Sequence, residues 1–590
     1  MSNSRETFRF RDFELDVAAY ELRRNGRPIR LERQPMDVLI MLIERRGMLV
    51  SRNDIVDRLW GRDVFVDVET GVHTAIRKIR QALRDSREKP VFVETISGKG
   101  YRFIAAVEAV SAPQATRVTL AVLPFENFSG DTDREYLADG LAEETIASIG
   151  QVDPEHVSVI GRTSIMVYKR TTKSLAEIGR ELGVDYLLES SLQAEKGRLR
   201  VTSKLIRACD QVLLWSAVYD RKPDSMLEVQ RELSTAIAEQ VRFRLSPDRL
   251  NGLARRQTQN ADAYDAYLRG RYFENRRTAE SNVRALQQYE RAIALDPNYA
   301  LAWSSLAFTY SASAMNSDAR PFEVLRRARD AAVQAVRANP NLAEAQFVVG
   351  YVNWIFDWDW EAAEAGFRRA MSLDPSNAAT HRMLGHALSQ TGRHSEAEAE
   401  MRRCRELDPL EPMSHALSSQ VAFQAREYSV AVEHARRTTR VDSEFWIGYM
   451  QLGQAYEQLG KSDLALEALT DAARLSGGNS KAVSLRGYLL AQMGRANEAR
   501  EVLRRLETLS CQRYVPPFAM ALVHAGLGER EAVFDWLDRA CAARDVHLIF
   551  LPVDPKWDAY RADPRFEGLL SRCGFSRTDA LSPPAFKCEN

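Results

Sequence analysis

The second half of the chain repeats a sequence pattern every 34 residues, and this period constrains the fold more than any other feature of the sequence. The clearest landmark is Leu-Asp-Pro at residues 373–375, which recurs at 407–409 and, in altered form, at 441–443 and 475–477. Small residues keep the same step, at Gly385, Ser419, Gly453, Gly487 and Ala521. A fixed period of this length predicts stacked helix-turn-helix units, because each unit can bury its apolar face only against the next one.

These units resemble the tetratricopeptide repeat, in which small residues let two helices approach closely. The resemblance implies an α-solenoid of seven or eight units over residues 261–575, with a surface for a protein or peptide partner. The step from Pro297 to Pro340 is 43 residues, so we expect an insertion near residues 311–322. Residues 577–590, which follow the repeats, are expected to form a disordered tail.

Four aromatic residues are concentrated in one repeat, at Trp354, Phe356, Trp358 and Trp360. Side chains of this size usually fill a core, which is the plainer interpretation. The alternative is an exposed aromatic patch that binds a partner, since large exposed apolar surfaces mark interaction sites. Both interpretations remain open at this point.

A basic amphipathic segment near the N-terminus, residues 72–84, predicts a helix with two distinct faces. One face carries the apolar residues Val72, Ile76, Ile79 and Leu83. The neighbouring face carries a row that is expected to be exposed, formed by His73, Arg77, Arg80 and Arg84. A helix fits the DNA major groove, where Arg can bind guanine or phosphate, but a basic helix face alone is more often only solvated. The neighbouring segments are needed to decide between these interpretations.

The segments around this helix predict strands, two further helices and a closing hairpin. Residues 8–16 alternate as a strand does, and Asn25-Gly26 signals a hairpin turn. Ser51 and Asp54 have the spacing of a capping box that starts a helix. The other predicted elements are a strand at 28–31, a helix at 35–44, a loop from Gly61 to Thr70, and a hairpin of residues 91–96 and 101–104. This order is typical of a winged helix-turn-helix.

This region resembles the DNA-binding domain of the OmpR/ToxR family. The resemblance rests on the helix Val72-x-x-x-Ile-Arg-Lys-Ile-Arg-Gln-Ala-Leu83 and on the wing Thr95-Ile-Ser-Gly-Lys-Gly-Tyr-Arg-Phe103, and it covers residues 6–106. It implies that double-stranded DNA is the partner, with the helix in the major groove and the wing on the adjacent minor groove. It also implies that the loop from Gly61 to Thr70 can contact RNA polymerase, and that a homodimer binds tandem DNA sites.

Eight residues form the expected DNA-binding set: His73, Thr74, Arg77, Lys78, Arg80, Arg84, Lys99 and Arg102. By the resemblance, the first two lie where base edges are read, and the next three match the main DNA contacts of the family. Many family members carry Arg where this chain has Ser97, so Lys99 is expected to replace that minor-groove contact. The alternative is a winged helix that binds only protein.

The charge distribution supports a local basic patch. The formal net charge of the whole chain is zero, whereas residues 70–103 contain eight Lys or Arg and three Asp or Glu. Electrostatic attraction to phosphate would therefore come from this patch and not from the chain as a whole.

Cysteine usage and hydropathy predict a soluble cytoplasmic protein without a metal or cofactor. The six cysteines form no C-x-x-C pair, which argues against structural zinc and fits reduced thiols. The apolar runs at 38–43 and 547–553 are far shorter than the roughly 20 residues that span a bilayer. Relatives of the ToxR and CadC type usually carry a membrane helix after the winged helix, whereas here we expect only a short linker at 107–117.

Residues 118–246 predict an α/β domain. An apolar strand at 119–125 is followed by helices and one more strand, then by an antiparallel meander over residues 185–219 and a closing helix at 224–245. The motifs Ala121-Val-Leu-Pro-Phe125 and Leu182-Gly-Val-Asp-Tyr-Leu-Leu-Glu189 resemble the TolB-like N-terminal domain. Asp139, Glu143 and Glu144 suggest a carboxylate site, but acidic residues more often favour the N-terminal end of a helix.

The predicted fold class is therefore multidomain and mainly α, with an N-terminal winged helix-turn-helix, an α/β TolB-like middle domain and a C-terminal tetratricopeptide solenoid. This arrangement resembles the HilA-type and CadC-like regulators. It predicts a sequence-specific DNA-binding transcriptional regulator whose middle domain and repeats act as a sensor or protein-interaction module. The alternative is an interaction scaffold in which DNA binding is secondary or lost. No catalytic residues and no enzyme activity are expected, because the sequence contains no P-loop, H-E-x-x-H or G-x-S-x-G motif.

Overall fold

The computed structural model describes residues 6–16, 21–24, 27–29, 31–45, 47–60, 68–111, 118–129, 134–152, 157–195, 198–222, 232–233, 236–237, 258–276 and 278–575. The chain divides into two compact units, Met1–Arg117 and Val118–Asn590. No helix among the described residues is both long enough and apolar enough to cross a membrane.

Five antiparallel strands form the first sheet of the N-terminal unit, in the order β4-β3-β2-β1-β8. The strands are β1 Glu6–Phe10, β2 Phe13–Asp16, β3 Glu21–Arg24, β4 Arg27–Ile29 and β8 Glu108–Ser111. Strand β8 lies inside the stretch predicted as a linker, 107–117, and corrects that prediction. Its backbone pairs with β1, so the winged-helix sheet extends beyond residue 106. The predicted turn at Asn25-Gly26 lies outside the described residues, although β3 and β4 pair as a hairpin.

The single strand predicted at residues 8–16 is a hairpin of two strands. Arg11 adopts a φ of +51° in the turn. Phe10 and Phe13 pair across the hairpin, and their rings stack with centroids 5.7 Å apart. In a continuous strand these two residues would point to opposite faces, whereas the two-residue turn lets both side chains be buried.

Three helices and a three-stranded wing complete the N-terminal unit. The helices are α1 Arg33–Glu44, α2 Arg52–Trp60 and α3 Val68–Leu83, and the wing strands are β5 Val50–Ser51, β6 Val93–Ile96 and β7 Gly100–Phe103, in the order β5-β7-β6. The predicted capping box is confirmed, because the Asp54 N–H donates to Ser51 Oγ at 3.1 Å and the Ser51 N–H donates to Asp54 Oδ2 at 3.0 Å. The winged helix-turn-helix prediction is therefore confirmed.

Helix α3 begins earlier than predicted. Residues 68–70, which were expected in the loop from Gly61 to Thr70, are helical, and residues 61–67 lie outside the described residues. The predicted apolar face is buried in the core of the unit, with exposed fractions of at most 2% for Val72, Ile76, Ile79 and Leu83.

The middle domain is an α/β sheet structure with a late antiparallel meander, as predicted. Its strands are β9 Val118–Val122, β10 Glu126–Asn127, β11 Val157–Val159, β12 Tyr186–Glu195, β13 Arg198–Arg207 and β14 Leu213–Arg221. The order is β11-β9-β12-β13-β14, with β11 and β12 parallel to β9 and with β10 beside β12. Its helices are α4 Glu135–Val152, α5 Arg162–Met166 and α6 Leu175–Leu182. Most of the predicted closing helix at 224–245 lies outside the described residues.

Eight helix pairs follow, in agreement with the predicted seven or eight repeats. They are α7 Ala261–Glu274 with α8 Ala279–Leu295, α9 Ala300–Asn316 with α10 Pro321–Ala338, α11 Ala343–Val352 with α12 Trp360–Leu373, α13 Ala378–Gln390 with α14 His394–Leu407, α15 Pro412–Gln424 with α16 Tyr428–Val441, α17 Trp446–Gln458 with α18 Ser462–Leu475, α19 Ser480–Gln492 with α20 Ala496–Ser510, and α21 Pro517–Leu527 with α22 Arg530–Ala542. Two 3-10 helices, Val546–Phe550 and Pro555–Tyr560, and a last helix, α23 Pro564–Arg572, cap the stack. The tail predicted at 577–590 lies outside the described residues.

The aromatic cluster fills the core of the third repeat, which confirms the plainer interpretation. Trp354, Phe356 and Trp358 are buried. Trp360 packs on Phe575 from the C-terminal cap, with ring centroids 4.4 Å apart. These contacts join the third repeat to the end of the stack.

The middle domain is fastened to the repeats by ionic and polar contacts. Glu143 on α4 forms ion pairs with Arg271 on α7 and with Arg162 on α5. Burial alone would raise the pKa of Glu143, but the charges of Arg271 and Arg162 outweigh it and lower that pKa below its ordinary value. A second attachment joins Ser164 to Asp408, with the Ser164 N–H donating to Asp408 Oδ1 at 2.8 Å. Glu143, suggested above as part of a carboxylate site, thus has a structural role here.

We predict that Arg271→Met destabilises the second unit by about 3 kcal/mol, because it leaves the Glu143 carboxylate buried with less compensating charge. The matched control is Arg284→Met, which removes an exposed pair with Glu280 one helical turn away and should cost at most about 0.5 kcal/mol. Scanning calorimetry of the full chain measures both. Equal unfolding temperatures for the two variants would show that the Glu143 pair does not hold the domains together.

Candidate DNA interface

Helix α3 presents a short exposed edge beside its buried face. His73 and Arg77 are exposed, and Thr74 is half-buried. The ring of His73 is held in place, because its Nδ1 shares a hydrogen bond of 3.1 Å with the hydroxyl of Tyr101 on the wing. Tyr101 is itself buried, so this contact fixes the imidazole at the first turns of the helix.

Arg77 and Lys78 are adjacent but differ in their partners. Among the described residues Arg77 has no hydrogen bond or ion pair. Lys78 Nζ lies 2.6 Å from both carboxylate oxygens of Glu32, immediately before α1. Arg77 can therefore contact a ligand without losing a partner. Lys78, in contrast, must leave the exposed Glu32 carboxylate before it can bind a phosphate.

Arg80 differs from the sequence expectation of a fully exposed row. It is half-buried, and its Nη2 donates to the Val93 carbonyl oxygen at 2.7 Å and to Thr95 Oγ1 at 2.8 Å. Burial lowers the pKa of Arg80 below its ordinary value, and the nearby charge of Asp85 partly offsets this shift. The guanidinium thus joins α3 to strand β6 of the wing, a structural role that the helical spacing could not reveal.

Arg84 lies just beyond the end of α3, in a left-handed conformation with a φ of +54°. Its side chain is exposed and, in the described part of the chain, has no ion-pair partner. The next residue, Asp85, was not predicted to matter, yet its carboxylate accepts from four backbone N–H groups, those of Ser86, Val91, Phe92 and Val93, at 2.7–3.1 Å. Asp85 therefore holds the entry to the wing against the end of α3. No local sequence pattern predicted this role.

The wing carries the last two predicted residues. Lys99 is exposed in the turn at the tip, and Arg102 is half-buried on β7, where it pairs across the hairpin with Glu94 at 3.8 Å. Gly100 shapes the wing, because a Cβ atom there would lie 2.1 Å from the Val50 carbonyl oxygen. The wing tip therefore displays one lysine on a closely packed backbone.

Comparisons with known proteins identify three parts in the chain. The family model described as "Transcriptional regulatory protein, C terminal" matches residues 26–103, and the model described as "HilA/YgeH-like transcriptional regulator, second domain" matches residues 116–237. Tetratricopeptide repeat models match residues 359–421, 417–480 and 450–512. The N-terminal part of the chain is therefore similar to the DNA-binding domain of the OmpR-type transcriptional regulators. The middle domain is HilA-like, and the TolB-like name given to it from sequence motifs is not supported by these matches.

Three relatives are similar to this chain over different shares of its length. The transcriptional regulator HilA of Salmonella typhimurium is 26% identical over 67% of this chain and 69% of its own length. The transcriptional activator CadC of Escherichia coli is 28% identical over 18% of this chain and 20% of its own length. A Rhizobium meliloti protein that bears the name adenylate cyclase 3 is 31% identical over 45% of this chain, and the chain spans only 44% of that relative.

We predict that Arg80→Met loosens the wing whereas Arg77→Met does not. Loss of the Arg80 guanidinium leaves the Val93 carbonyl without its side-chain donor, at a cost of about 1–3 kcal/mol. Backbone amides of β6 should then exchange hydrogen faster in the Arg80→Met full chain, as measured by mass spectrometry. The exposed Arg77 provides the matched control. Unchanged exchange in β6 of the Arg80 variant would contradict the proposed bracing role.

Proposed function

We propose that this protein is a sequence-specific transcriptional regulator that binds double-stranded DNA through α3 and the wing. The observation that carries this proposal is the exposure of Arg77, Arg84 and Lys99, without ion-pair partners among the described residues, on a helix and hairpin that are fixed to each other. Cations held in a rigid frame lose little conformational freedom when they bind phosphate or base edges.

The roles within the DNA-binding set follow from these positions. His73, Thr74 and Arg77 are placed to read base edges in the major groove, where Arg binds guanine bidentately. Lys78, Arg84, Lys99 and Arg102 are assigned to phosphate and minor-groove contacts. Arg80, predicted as a main contact, is assigned here to bracing the wing, and any DNA contact it makes is secondary to that role.

The remaining parts of the proposal concern input and partners. The HilA-like domain and the repeats are proposed to receive a signal or bind a protein or peptide partner, and the residues around Gly61 to Thr70 are proposed to contact RNA polymerase. We also propose that the protein acts in the cytoplasm, binds DNA as a homodimer and has no enzyme activity. An interaction scaffold without DNA binding is not favoured, because the matched relatives HilA and CadC are named as transcriptional regulators.

The first prediction concerns specificity. Genome-wide capture of DNA fragments with the full chain should give sharp promoter peaks, and Arg77→Ala should weaken them by about 5- to 150-fold, equivalent to about 1–3 kcal/mol for a bidentate base contact. Arg326→Ala is the matched control, since Arg326 is an exposed arginine on a repeat helix and should leave the peaks intact. Peaks of equal height in both variants would contradict the assignment of α3 as the recognition helix.

The second prediction concerns salt. Four to six phosphate contacts give a plot of log affinity against log salt with a slope of roughly −4 to −5. Lys99→Ala should make the slope shallower by about 1 and weaken binding evenly across DNA sequences, because a phosphate contact carries no sequence information. Fluorescence anisotropy on one captured site and on a scrambled duplex measures both effects. A slope identical to that of the wild type would remove Lys99 from the interface.

A further inference from the structure

The inner side of the repeats contains a pocket near the C-terminal cap. The first helices of four consecutive repeats contribute to it, through Gln420 on α15, Gln454 on α17, Lys481 on α19 and Leu522 on α21. The 3-10 helix Val546–Phe550 closes it with His547 and Phe550. Residues of both the repeats and the C-terminal cap therefore form this site.

Two polar groups in this pocket, the buried His547 and the half-buried Lys481, have side-chain atoms without a hydrogen-bond partner among the described residues. His547 is 5% exposed, and its Nδ1 lies 2.8 Å from Asp545 Oδ1, while its Nε2 is buried and has no hydrogen bond to any described residue. When Nδ1 carries the proton that it donates to the carboxylate, Nε2 is the acceptor of this tautomer. His547 Nε2 can therefore accept a hydrogen bond from an N–H or O–H group of a molecule bound in the pocket.

Lys481 supplies the complementary group. Its ammonium makes no hydrogen bond or ion pair within the described residues, although it lines the pocket. Burial lowers the pKa of Lys481 to about 8, against the opposing charges of Asp318 and Asp545. An anion placed beside Lys481 would restore the stability of its charged form, since an opposite charge favours ionisation.

Other polar groups of the pocket are already satisfied. Lys556 Nζ lies 2.8 Å from Gln454 Oε1 and 2.9 Å from Asp554 Oδ1. Asp318 is engaged beside the pocket, where it accepts from the Ser480 N–H at 3.1 Å. The unmet requirements are therefore one negative charge and one hydrogen-bond donor.

Part of the wall is apolar. Met450, Leu485, Phe518, Leu522 and Phe550 line it. Small-molecule sites commonly combine such walls with a few convergent polar groups. An occupant therefore needs an aliphatic portion beside its charged and donor groups.

We propose that this pocket binds a small organic acid that carries a carboxylate for Lys481, an adjacent N–H or O–H donor for His547 Nε2, and a short aliphatic group for the apolar wall. The site would supply the input of the proposed regulator, and in that sense the inference rests on the proposed function. Ser480, which lines the pocket, is held by two hydrogen bonds to Asp318, and a wall with a few convergent polar groups favours a small molecule as the occupant.

The test is calorimetric titration of the full chain at pH 7 with N-acetyl-L-leucine, which carries all three groups. N-acetyl-L-leucinamide lacks the charge, and 4-methylpentanoate lacks the donor. We expect saturable binding of N-acetyl-L-leucine and affinities at least about tenfold lower for each of the other two, because each of them lacks one of the two polar contacts. Absence of saturable binding would mean that only water fills the pocket, and equal binding of the amide would mean that the carboxylate is not recognised; either result would overturn the proposal.

Variants test the residues. Lys481→Met and His547→Phe should each weaken binding at least about tenfold, whereas Lys461→Met, at an exposed lysine of the neighbouring repeat, should not. Unchanged affinity in Lys481→Met would overturn the assignment, and the comparison of probes on the wild-type chain stays decisive if a variant fails to fold. A free tetrapeptide ending in leucine that binds more tightly than N-acetyl-L-leucine would overturn the small-molecule assignment.

DNA binding by the same preparation separates the two proposals. Retained promoter binding without binding of N-acetyl-L-leucine would remove this inference and leave the proposed function standing. Binding of N-acetyl-L-leucine without promoter binding would remove the proposed function and leave a ligand site in the repeats.

Discussion

The close approach of the two helices in each repeat is the constraint on which most of the structure depends. A Cβ atom on Gly385 would lie 2.9 Å from the Ala397 carbonyl oxygen, and one on Gly453 would lie 2.6 Å from Leu469 Cγ. A larger residue at either position would force the helices apart and tilt every later pair. Because each pair is stacked on the one before it, these small residues determine where side chains distant in sequence meet, such as Asp318 and Ser480.

The winged helix depends on a different constraint, because it presents cations on a helix that must be held in place. Apolar packing holds one face of α3, and three polar contacts hold it to the wing, through His73, Arg80 and Asp85. The Arg80 contact uses a cation that could otherwise be offered to DNA. The result is a rigid display of fewer cations, and rigidity matters because every side chain ordered on binding reduces the net affinity.

Local patterns predicted the features that depend on neighbouring residues. The capping box of Ser51 and Asp54, the buried face of α3 and the 34-residue period all follow from spacing, and the structure has each of them. The hairpin at Phe10 and Phe13 was missed, although the apolar alternation changes phase between them, because a two-residue turn can pass for continued strand.

Contacts between distant residues were beyond such patterns. The helical period predicts the direction of the Arg80 side chain, but it does not predict that the Val93 carbonyl oxygen lies there as a hydrogen-bond acceptor. The bond from Ser164 to Asp408 joins residues 244 positions apart, and no local pattern predicts that these two residues meet. The same limit applies to the candidate sites, since the cationic residues of α3 could be found from sequence but their bracing partners, and the pocket at Lys481, could not.

The attachment of the middle domain to repeats that are distant from one another gives the repeats a means of acting on it. Glu143 pairs with Arg271 in the first repeat, and Ser164 bonds to Asp408 at the end of the fourth. Between these points lie three repeats whose stacking fixes the spacing of the two attachments. Packed helices respond to a ligand by discrete shifts and not by smooth bending. A change of stacking in this region would therefore move one attachment point relative to the other. The cap strengthens this coupling, because Trp360 of the third repeat packs on Phe575 and ties the span between the attachments to the C-terminal end. A ligand that draws together Lys481 and His547 would therefore act on the same closed framework that positions the middle domain.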